Sequence, residues 1–167
     1  MHSHRLFQQS DVCQHLLLAT PAETCDFAWS LQRSPGRQAV VRTLRAAKAR
    51  TVPALFDEFA AALQFPYYFG ENWDALDECL TDLEWLPGDA YILFLTDAEC
   101  LLDRESSEKF AILLDLLEQA AQQWNANGEA SGEPPCAFHI IYQCSLEAAP
   151  AFLRRIQAEG RTLDRLN

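Results

Sequence analysis

Basic residues are missing from a long stretch of the chain. Between Thr51 and Asp103 there is no Lys or Arg, although this stretch carries twelve Asp and Glu. Residues 1–50 carry seven Lys and Arg against three Asp and Glu, so the formal net charge of −11 is concentrated after residue 50. Such a negative surface repels phosphates and excludes nucleic acid as a direct partner. It is either a solvated surface that keeps the protein in solution or a surface that meets a cationic partner.

Long apolar runs are absent as well. The longest apolar clusters, such as Tyr91–Leu95, have the length of a strand, whereas a membrane-spanning helix needs roughly 18 or more residues. The first residues contain an apolar patch of only four residues and lack the hydrophobic region of a secretory signal. We therefore expect a cytoplasmic protein with no membrane contact, whose six cysteines are reduced and mostly buried.

The common signatures of catalysis are also missing. There is no glycine-rich nucleotide loop, no Gly-x-Ser-x-Gly and no Cys-x-x-Cys. His139 lies within a predicted buried strand, which favours a hydrogen-bonded core residue over a general base. Carboxylates are abundant, but nothing separates their environments, as acid–base catalysis requires, and their spacing matches no calcium loop. We predict that the protein is not an enzyme and needs no cofactor or metal.

Strands and helices alternate in the middle of the chain, which predicts a parallel α/β sheet. The predicted strands are Gln38–Leu44, Tyr91–Leu95 and Phe138–Tyr142. Predicted helices begin after Thr51 and Asn72 and after Ser106 or Ser107, the last running to about Trp124. A Gly/Asn/Ser/Pro-rich stretch at 125–135 predicts a loop, and Leu146–Glu159 a closing helix. Before residue 38 the patterns are weak; they suggest a short helix at Asp11–Ala19 and a short strand at Cys25–Leu31.

The helix after Asn72 has two chemically different faces. With about 100° per residue, Leu76, Cys79, Leu80 and Leu83 fall on one side. The opposite side is almost purely acidic and carries Asp74, Asp77, Glu78, Thr81 and Asp82. Like charges four residues apart cost a helix about 0.2–0.5 kcal/mol per pair. A face that accepts this cost beside the aromatic residues Tyr67, Tyr68 and Trp73 is typical of a partner interface.

The same region carries a family resemblance. The stretch at 65–81, FPYYFGENWDALDECLT, closely resembles the signature segment of barstar-family proteins, small intracellular inhibitors of barnase-type ribonucleases. Looser similarity extends over about residues 38–143. The resemblance implies a three-stranded parallel sheet packed with helices. We accordingly divide the chain into an N-terminal extension of undefined structure at 1–37, a barstar-like domain at 38–143 and a C-terminal helical extension at 144–167.

The resemblance also implies which residues bind. Family members insert this helix and the preceding loop into the ribonuclease active site, where carboxylates take the place of RNA phosphates. By position, Tyr68 is expected near the catalytic histidine, Asp74 at the phosphate-binding basic residues and Glu78 deepest in the cleft. The expected partner-binding residues are Tyr67, Tyr68, Gly70, Asn72, Trp73, Asp74, Asp77, Glu78, Thr81 and Asp82. A further acidic contact from the long helix falls on Glu118 or Gln119, depending on the alignment.

These observations predict an immunity- or antitoxin-type inhibitor that binds one basic ribonuclease, either barnase-like or another toxin nuclease, one to one. The alternative is a non-inhibitory interaction domain of the same fold that binds another basic partner. The two differ in whether the bound partner is a nuclease.

Overall fold

A computed structural model of the chain describes residues 3–130 and 136–166. Its strands are β1 (Gln14–Leu18), β2 (Ala39–Arg45), β3 (Ala90–Thr96), β4 (Ala137–Cys144) and β5 (Asp164–Leu166). Its helices are α1 (Pro21–Gln32), α2 (Val52–Leu63), α3 (Trp73–Asp82), α4 (Ser107–Ala130) and α5 (Ala149–Ala158). Short 3-10 helices lie at Ser3–Phe7, Ala46–Lys48 and Ala98–Cys100.

The five described strands form one parallel sheet in the order β2-β3-β4-β1-β5. The prediction of a parallel α/β sheet is confirmed, but the predicted number of three strands was wrong. The additional strands come from the two ends of the chain: β1 pairs with β4, and β5 pairs with β1. Because β1 pairs along the side of β4 that faces away from β3, β4 lies inside the sheet rather than at its edge.

The weak patterns before residue 38 were misinterpreted. Residues predicted as a helix at Asp11–Ala19 contain β1, and those predicted as a strand at Cys25–Leu31 lie within α1. The start of α1 is a capping box: the Glu23 backbone N–H donates to the Thr20 hydroxyl, and the Glu23 carboxylate accepts from the Thr20 backbone N–H. This local stabilisation, with Pro21 in the first turn, starts the helix, although Phe27 and Leu31 are its only buried apolar side chains.

Helices cover both faces of the sheet, so each central strand is buried on both sides. In β3, alternate side chains enter two different cores. Tyr91, Leu93 and Leu95 pack in the core that contains α2, α3, α4 and α5. Ile92 and Phe94 pack in the core that contains α1 and the N-terminal 3-10 helix. The helix with the acidic face therefore lies on the opposite side of the sheet from the two N-terminal elements.

The long helix α4 extends beyond the predicted boundary at Trp124. Residues 125–130 are helical, so the predicted loop was wrong there, and 131–135 lie outside the described residues. Asn and Gly have low helix propensity, but adding a turn to an existing helix costs far less than starting one. The closing helix is confirmed as α5, followed by Gly160 in the left-handed conformation (φ +69°).

All six cysteines are free thiols, and half of them are buried. Cys13, Cys79 and Cys144 are buried, Cys100 and Cys136 are half-buried, and Cys25 is exposed. Within the described part of the chain, no helix combines the length and apolarity needed to cross a bilayer. The division into an extension at 1–37, a domain at 38–143 and an extension at 144–167 stays a prediction.

Candidate partner-binding surface

The loop between α2 and α3 exposes two large aromatic side chains. Tyr67 is 101% exposed and Tyr68 is 64% exposed, and their rings meet edge to face at 5.8 Å. The chain leaves α2 through Gln64, whose left-handed conformation (φ 53°) ends the helix, and turns at Pro66, whose carbonyl accepts from the Phe69 N–H at 3.0 Å. Large exposed aromatic side chains of this kind more often belong to an interaction site than contribute to the stability of the fold.

Other aromatic residues hold this loop from behind. Phe65 packs on Phe69 at 4.9 Å and on Trp85 at 6.1 Å between ring centroids. The Trp85 indole N–H donates to the carbonyl of Leu63 at 3.0 Å, at the end of α2. Such edge-to-face pairs contribute about 0.5–1.5 kcal/mol each beyond burial. The two tyrosines are therefore presented by a supported loop, which lowers the entropy lost when a partner binds.

Gly70 and Asn72 shape the entry into α3. The Asn72 side chain caps the helix, because its Oδ1 accepts from the Ala75 N–H at 2.8 Å. Its Nδ2 donates to the carbonyl of Gly70 at 3.1 Å. A Cβ on residue 70 would lie 3.0 Å from that Nδ2, closer than ordinary contact. The structure gives both residues a role in shaping the loop, while their predicted contact with a partner stays a prediction.

Helix α3 has the two faces that its sequence pattern predicts. Leu76, Cys79 and Leu80 are buried. The carboxylates of the opposite face are outward: Asp74, Glu78 and Asp82 are exposed, and Asp77 is half-buried. Trp73 is half-buried, with its ring 5.2 Å from that of Phe56 in α2. We call the four residues Asp74, Asp77, Glu78 and Asp82 the acidic face.

No arginine or lysine of the described chain neutralises the acidic face. Among the side chains that the structure describes, at 4–126 and 136–166, every ion pair involves other carboxylates. Arg45 pairs with Glu58, and Arg50 pairs with Asp103. The charges of the acidic face are thus unpaired within the described chain, and their field extends into solvent.

The hydroxyl of Thr81 is already engaged. It lies 2.9 Å from the carbonyl oxygen of Asp77 and 3.2 Å from that of Glu78, and it donates back into the helix. Its donor is therefore not free for a partner unless this bond breaks, whereas its oxygen can still accept. Thr81 stays a predicted partner-binding residue, with this limit on its chemistry.

Between the loop and α3 lies a shallow cleft of about 90 Å³. It is lined by Tyr68, Phe69, Ala75, Glu78, Cys79, Asp82 and Trp85. Pockets that hold substrates or cofactors usually measure about 300–1,000 Å³, so this cleft accommodates at most one side chain. Across the described ranges, no group of three or more His, Cys, Asp or Glu is arranged to hold a metal ion. The surface is suited to contact with a macromolecule rather than a small ligand.

The two candidates on the long helix differ in their surroundings. Glu118 is half-buried and forms an ion pair with Arg161, which also pairs with Asp115. Gln119 is exposed. The Glu118 carboxylate is therefore already neutralised within the chain, and whether either residue contacts a partner stays a prediction.

Sequence reasoning missed the residues that support the surface. Trp124 of α4 donates its indole N–H to the carbonyl of Leu80 at 2.8 Å. Trp85 donates to the carbonyl of Leu63 beside the loop, and Phe56 packs against Trp73. Helical spacing placed Trp124 on the buried side of its helix, but no local pattern indicates which backbone carbonyl an indole will reach.

The sequence that forms this surface matches a known protein family. A family model described as "Barstar (barnase inhibitor)" matches residues 39–139. The chain belongs to the Barstar family. The matched range begins at β2 and ends within β4, so it contains the aromatic loop and the acidic face, whereas β1, α1, α5 and β5 lie outside it. No curated protein matches the chain.

Solved structures share the fold of this Barstar-family chain. The Aeropyrum pernix ORC2 protein in its ADPNP-ADP complexes has a TM-score of 0.62 at 13% identity, covering 93% of this chain and 41% of that one. The ADP form of the same protein has a TM-score of 0.60 at 13% identity, covering 93% of this chain and 42% of that one. The chain thus spans about two fifths of these proteins. At this identity the likeness shows the arrangement of helices and strands alone.

Proposed function

We propose that this protein inhibits a basic ribonuclease by placing the acidic face of α3 and the adjoining Tyr67–Tyr68 loop over its active site. The observation that carries the proposal is that Asp74 and Glu78 are exposed and, in the described chain, unpaired with any Lys or Arg. Membership of a family described as barnase inhibitors supports it. The complex would form inside the cell with one ribonuclease per inhibitor.

The mechanism follows from charge and geometry. A ribonuclease that binds RNA phosphates must present cationic side chains in its cleft, and the field of the acidic face accelerates encounter with such a cleft. On contact, Asp74 and Glu78 would take the positions of phosphate oxygens. The side-chain carboxylates offer no phosphodiester bond to cleave, so the cleft is filled without turnover.

The aromatic loop would supply the non-electrostatic part of binding. Tyr67 and Tyr68 expose large ring surfaces at the border of the acidic face. Burial of aromatic side chains at the centre of an interface contributes a large share of binding free energy. It also excludes water, which strengthens the neighbouring charge pairs.

The nucleotides named for the ORC2 structures are not part of this proposal, because the first turn of the helix that follows β1 here is negatively charged. Helix α1 follows β1 after only Ala19 and Thr20. The Glu23 carboxylate accepts from the Thr20 N–H and from the Thr20 hydroxyl, both at 2.8 Å, and these bonds lower the pKa of Glu23. A carboxylate at the N-terminus of a helix repels the phosphate that such a position would otherwise attract.

The test is capture of the partner followed by an RNA cleavage assay. The immobilised protein and its Asp74→Ala/Glu78→Ala variant are exposed to a lysate of the source cells at low salt, and bound protein is eluted with salt. We expect a basic protein that cleaves RNA, is retained only by the unmodified chain and is fully inhibited by one equivalent of it. Association measured by stopped flow should slow steeply between about 0.05 and 0.5 M salt.

Two outcomes would contradict the proposal. A captured basic partner without nuclease activity would favour the alternative of a non-inhibitory interaction domain. An association rate that does not change with salt would remove electrostatic capture from the mechanism.

A further inference from the structure

Two histidines from distant parts of the chain touch inside the protein. His15 of β1 is 2% exposed and His139 of β4 is 1% exposed. The Nε2 atom of His15 lies 3.0 Å from the Nδ1 atom of His139. They lie on the face of the sheet that is covered by α1 and the N-terminal 3-10 helix, opposite α3. The proposed inhibitory function uses neither residue.

The hydrogen-bond partners determine where the ring protons are. The Nε2 atom of His139 lies 3.0 Å from the backbone carbonyl oxygen of Gln8. A carbonyl only accepts, so this nitrogen carries the proton of the neutral His139 ring. Its Nδ1 then accepts, and the Nε2–H of His15 must be the donor. With both rings neutral, each ring proton is already in use.

The remaining nitrogen of His15 faces a carboxylate from the other end of the chain. Nδ1 of His15 lies 3.5 Å from Oδ2 of Asp164 in β5, and both atoms are buried without a hydrogen-bond partner in the described residues. Arg5 of the 3-10 helix lies 3.4 Å from the same Oδ2. The charged groups acting on His15 are thus Asp164, Arg5 and His139 itself. From β3 and α1, this side of the sheet receives apolar side chains, including Ile92, Phe94 and Phe27.

These contacts connect the N-terminal segment and β5 to the histidine pair. The Gln8 carbonyl contacts His139 and the Asp164 carboxylate contacts His15, while Arg5 contacts the same carboxylate of Asp164. We call residues 3–10 together with β5 the terminal clasp. Both parts of the clasp lie outside the matched Barstar range.

We propose that the histidine pair is a pH-sensitive fastening, and that acidification releases the terminal clasp while the rest of the sheet and α3 stay folded. The neutral pair can take up one proton without losing a hydrogen bond. This proton binds Nδ1 of His15, and the resulting N–H can donate to the Asp164 carboxylate. A second proton would place an N–H of each ring toward the other across the 3.0 Å contact. Two imidazolium ions at that distance repel each other strongly in a buried site.

The direction of the pH effect follows from burial. Burial, together with smaller effects of His139 and Arg5, lowers the pKa of His15 to about 4, although Asp164 acts in the opposite direction. Burial also lowers the pKa of His139. In the released state the rings lose part of this burial and both pKa values move back towards 6.5, so release takes up protons. The fastening is at full strength above about pH 6.5 and weakens as the pH falls towards 4, by up to about tenfold per pH unit for each proton.

Release can be local because few contacts hold the clasp. Leu6 and Leu166 are its buried apolar side chains, and β5 contributes only three residues to the sheet. The strands β2, β3 and β4 pair with one another over most of their lengths and carry α2, α3 and α4 on the other face. A segment with few buried contacts opens at a lower free-energy cost than the core.

Hydrogen exchange measured by mass spectrometry at pH 7.5 and pH 5.0, corrected for intrinsic exchange rates, tests the proposal. We expect amides of residues 5–10 and 164–166 to exchange at least tenfold faster at pH 5.0, with no comparable change in β3 or α3. Proton NMR of the histidine rings in the same protein should show His15 titrating well below its ordinary range.

Variants separate the histidine pair from general acid sensitivity. His15→Gln keeps a donor near Nδ1 of His139 but has no titratable ring, so the acceleration at pH 5.0 should disappear or shrink to a few-fold. His4→Gln removes an exposed histidine and should leave the acceleration unchanged.

The proposal is overturned if His15→Gln opens with the same pH dependence, if the whole sheet exchanges together, or if both buried rings titrate near 6.5 while exchange stays constant. Should His15→Gln fail to fold, His139→Gln, which keeps a donor to Gln8, and the NMR titration of the unmodified chain decide the question.

Discussion

The indole N–H of Trp124 in α4 donates to the backbone carbonyl of Leu80 in α3 at 2.8 Å. This bond ties the last turn of the acidic helix to the longest helix of the described chain. The Trp124 ring also lies 5.0 Å from that of Tyr91 in β3. The acidic face is therefore carried on a helix that is attached to the core at its far end and capped by Asn72 at its start.

Trp124→Phe should destabilise the protein by about 1–2 kcal/mol, because it removes this hydrogen bond and leaves the Leu80 carbonyl without its partner. Urea unfolding measures the effect. Trp29→Phe is the matched control, since Trp29 is 54% exposed and stacks with the exposed Arg33; we expect a change within about 0.5 kcal/mol. Similar losses in both variants would show that the bond contributes nothing specific.

Asn72→Ala should cost about 1 kcal/mol of folding free energy, since the side chain caps α3. Thr51→Ala is a close control: Thr51 is the N-cap of α2, but its side chain makes no capping hydrogen bond. Asn72→Asp should keep most of the stability because it retains the acceptor. Thermal unfolding of the three variants checks this order, and an equal loss at positions 51 and 72 would contradict it.

Asp74→Ala and Glu78→Ala should each weaken binding to the ribonuclease by about 2–5 kcal/mol, because each leaves a buried cationic group of the partner unpaired. The loss of an exposed charge outside the interface has a much smaller effect, about 1 kcal/mol or less. Asp26→Ala is the control: Asp26 is exposed on α1, on the opposite face of the sheet. Titration calorimetry or inhibition constants measure the difference, and small equal effects at all three positions would contradict the assigned interface.

Glu58 should contribute stability that disappears in acid. Hydrogen bonds from Arg45 lower the pKa of Glu58, with contacts of 2.8 and 3.0 Å from the guanidinium. A lowered carboxyl pKa means that the contribution is present above about pH 4.5 and is lost as the pH falls through the folded-state value. Glu58→Gln should cost about 1 kcal/mol at pH 7, since solvent screens the exposed Arg45.

Urea unfolding of Glu58→Gln and the unmodified protein at pH 7 and pH 3 checks this. The difference between them should shrink at the lower pH. Asp57→Asn, next to it on the exposed side of α2, should show no such convergence. If Glu58→Gln and the unmodified protein differ in unfolding free energy by the same amount at both pH values, the loss comes from packing rather than from the ionised carboxylate.

The acidic face and the strands β2, β3 and β4 were predictable because each is encoded locally. In α3 the helical spacing places Leu76 and Leu80 on one face and Asp74 and Glu78 on the opposite face. The apolar face is the one that packs against the core. Strands β3 and β4 are largely apolar runs and β2 is rich in β-branched residues, and the structure moves the predicted ends of all three by one or two residues.

The terminal elements were not predictable in the same way. Strand β1 is five residues long, and its apolar run could equally belong to a short helix. Strand β5 is three residues with an aspartate, and it exists as a strand because the edge of β1 is there to pair with it. Helix α1 had one readable signal, Thr20 and Glu23 at capping-box spacing around Pro21, which the sequence interpretation overlooked.

The position of β1 imposes an order on folding. During synthesis this strand leaves the ribosome well before the strands it pairs with in the described sheet, β4 and β5, which emerge more than a hundred residues later. Contacts this distant in sequence form slowly. The three consecutive leucines Leu16–Leu18 therefore have no strand to pair with in the nascent chain until β4 has been synthesised. During this interval they are exposed to chaperones and to self-association.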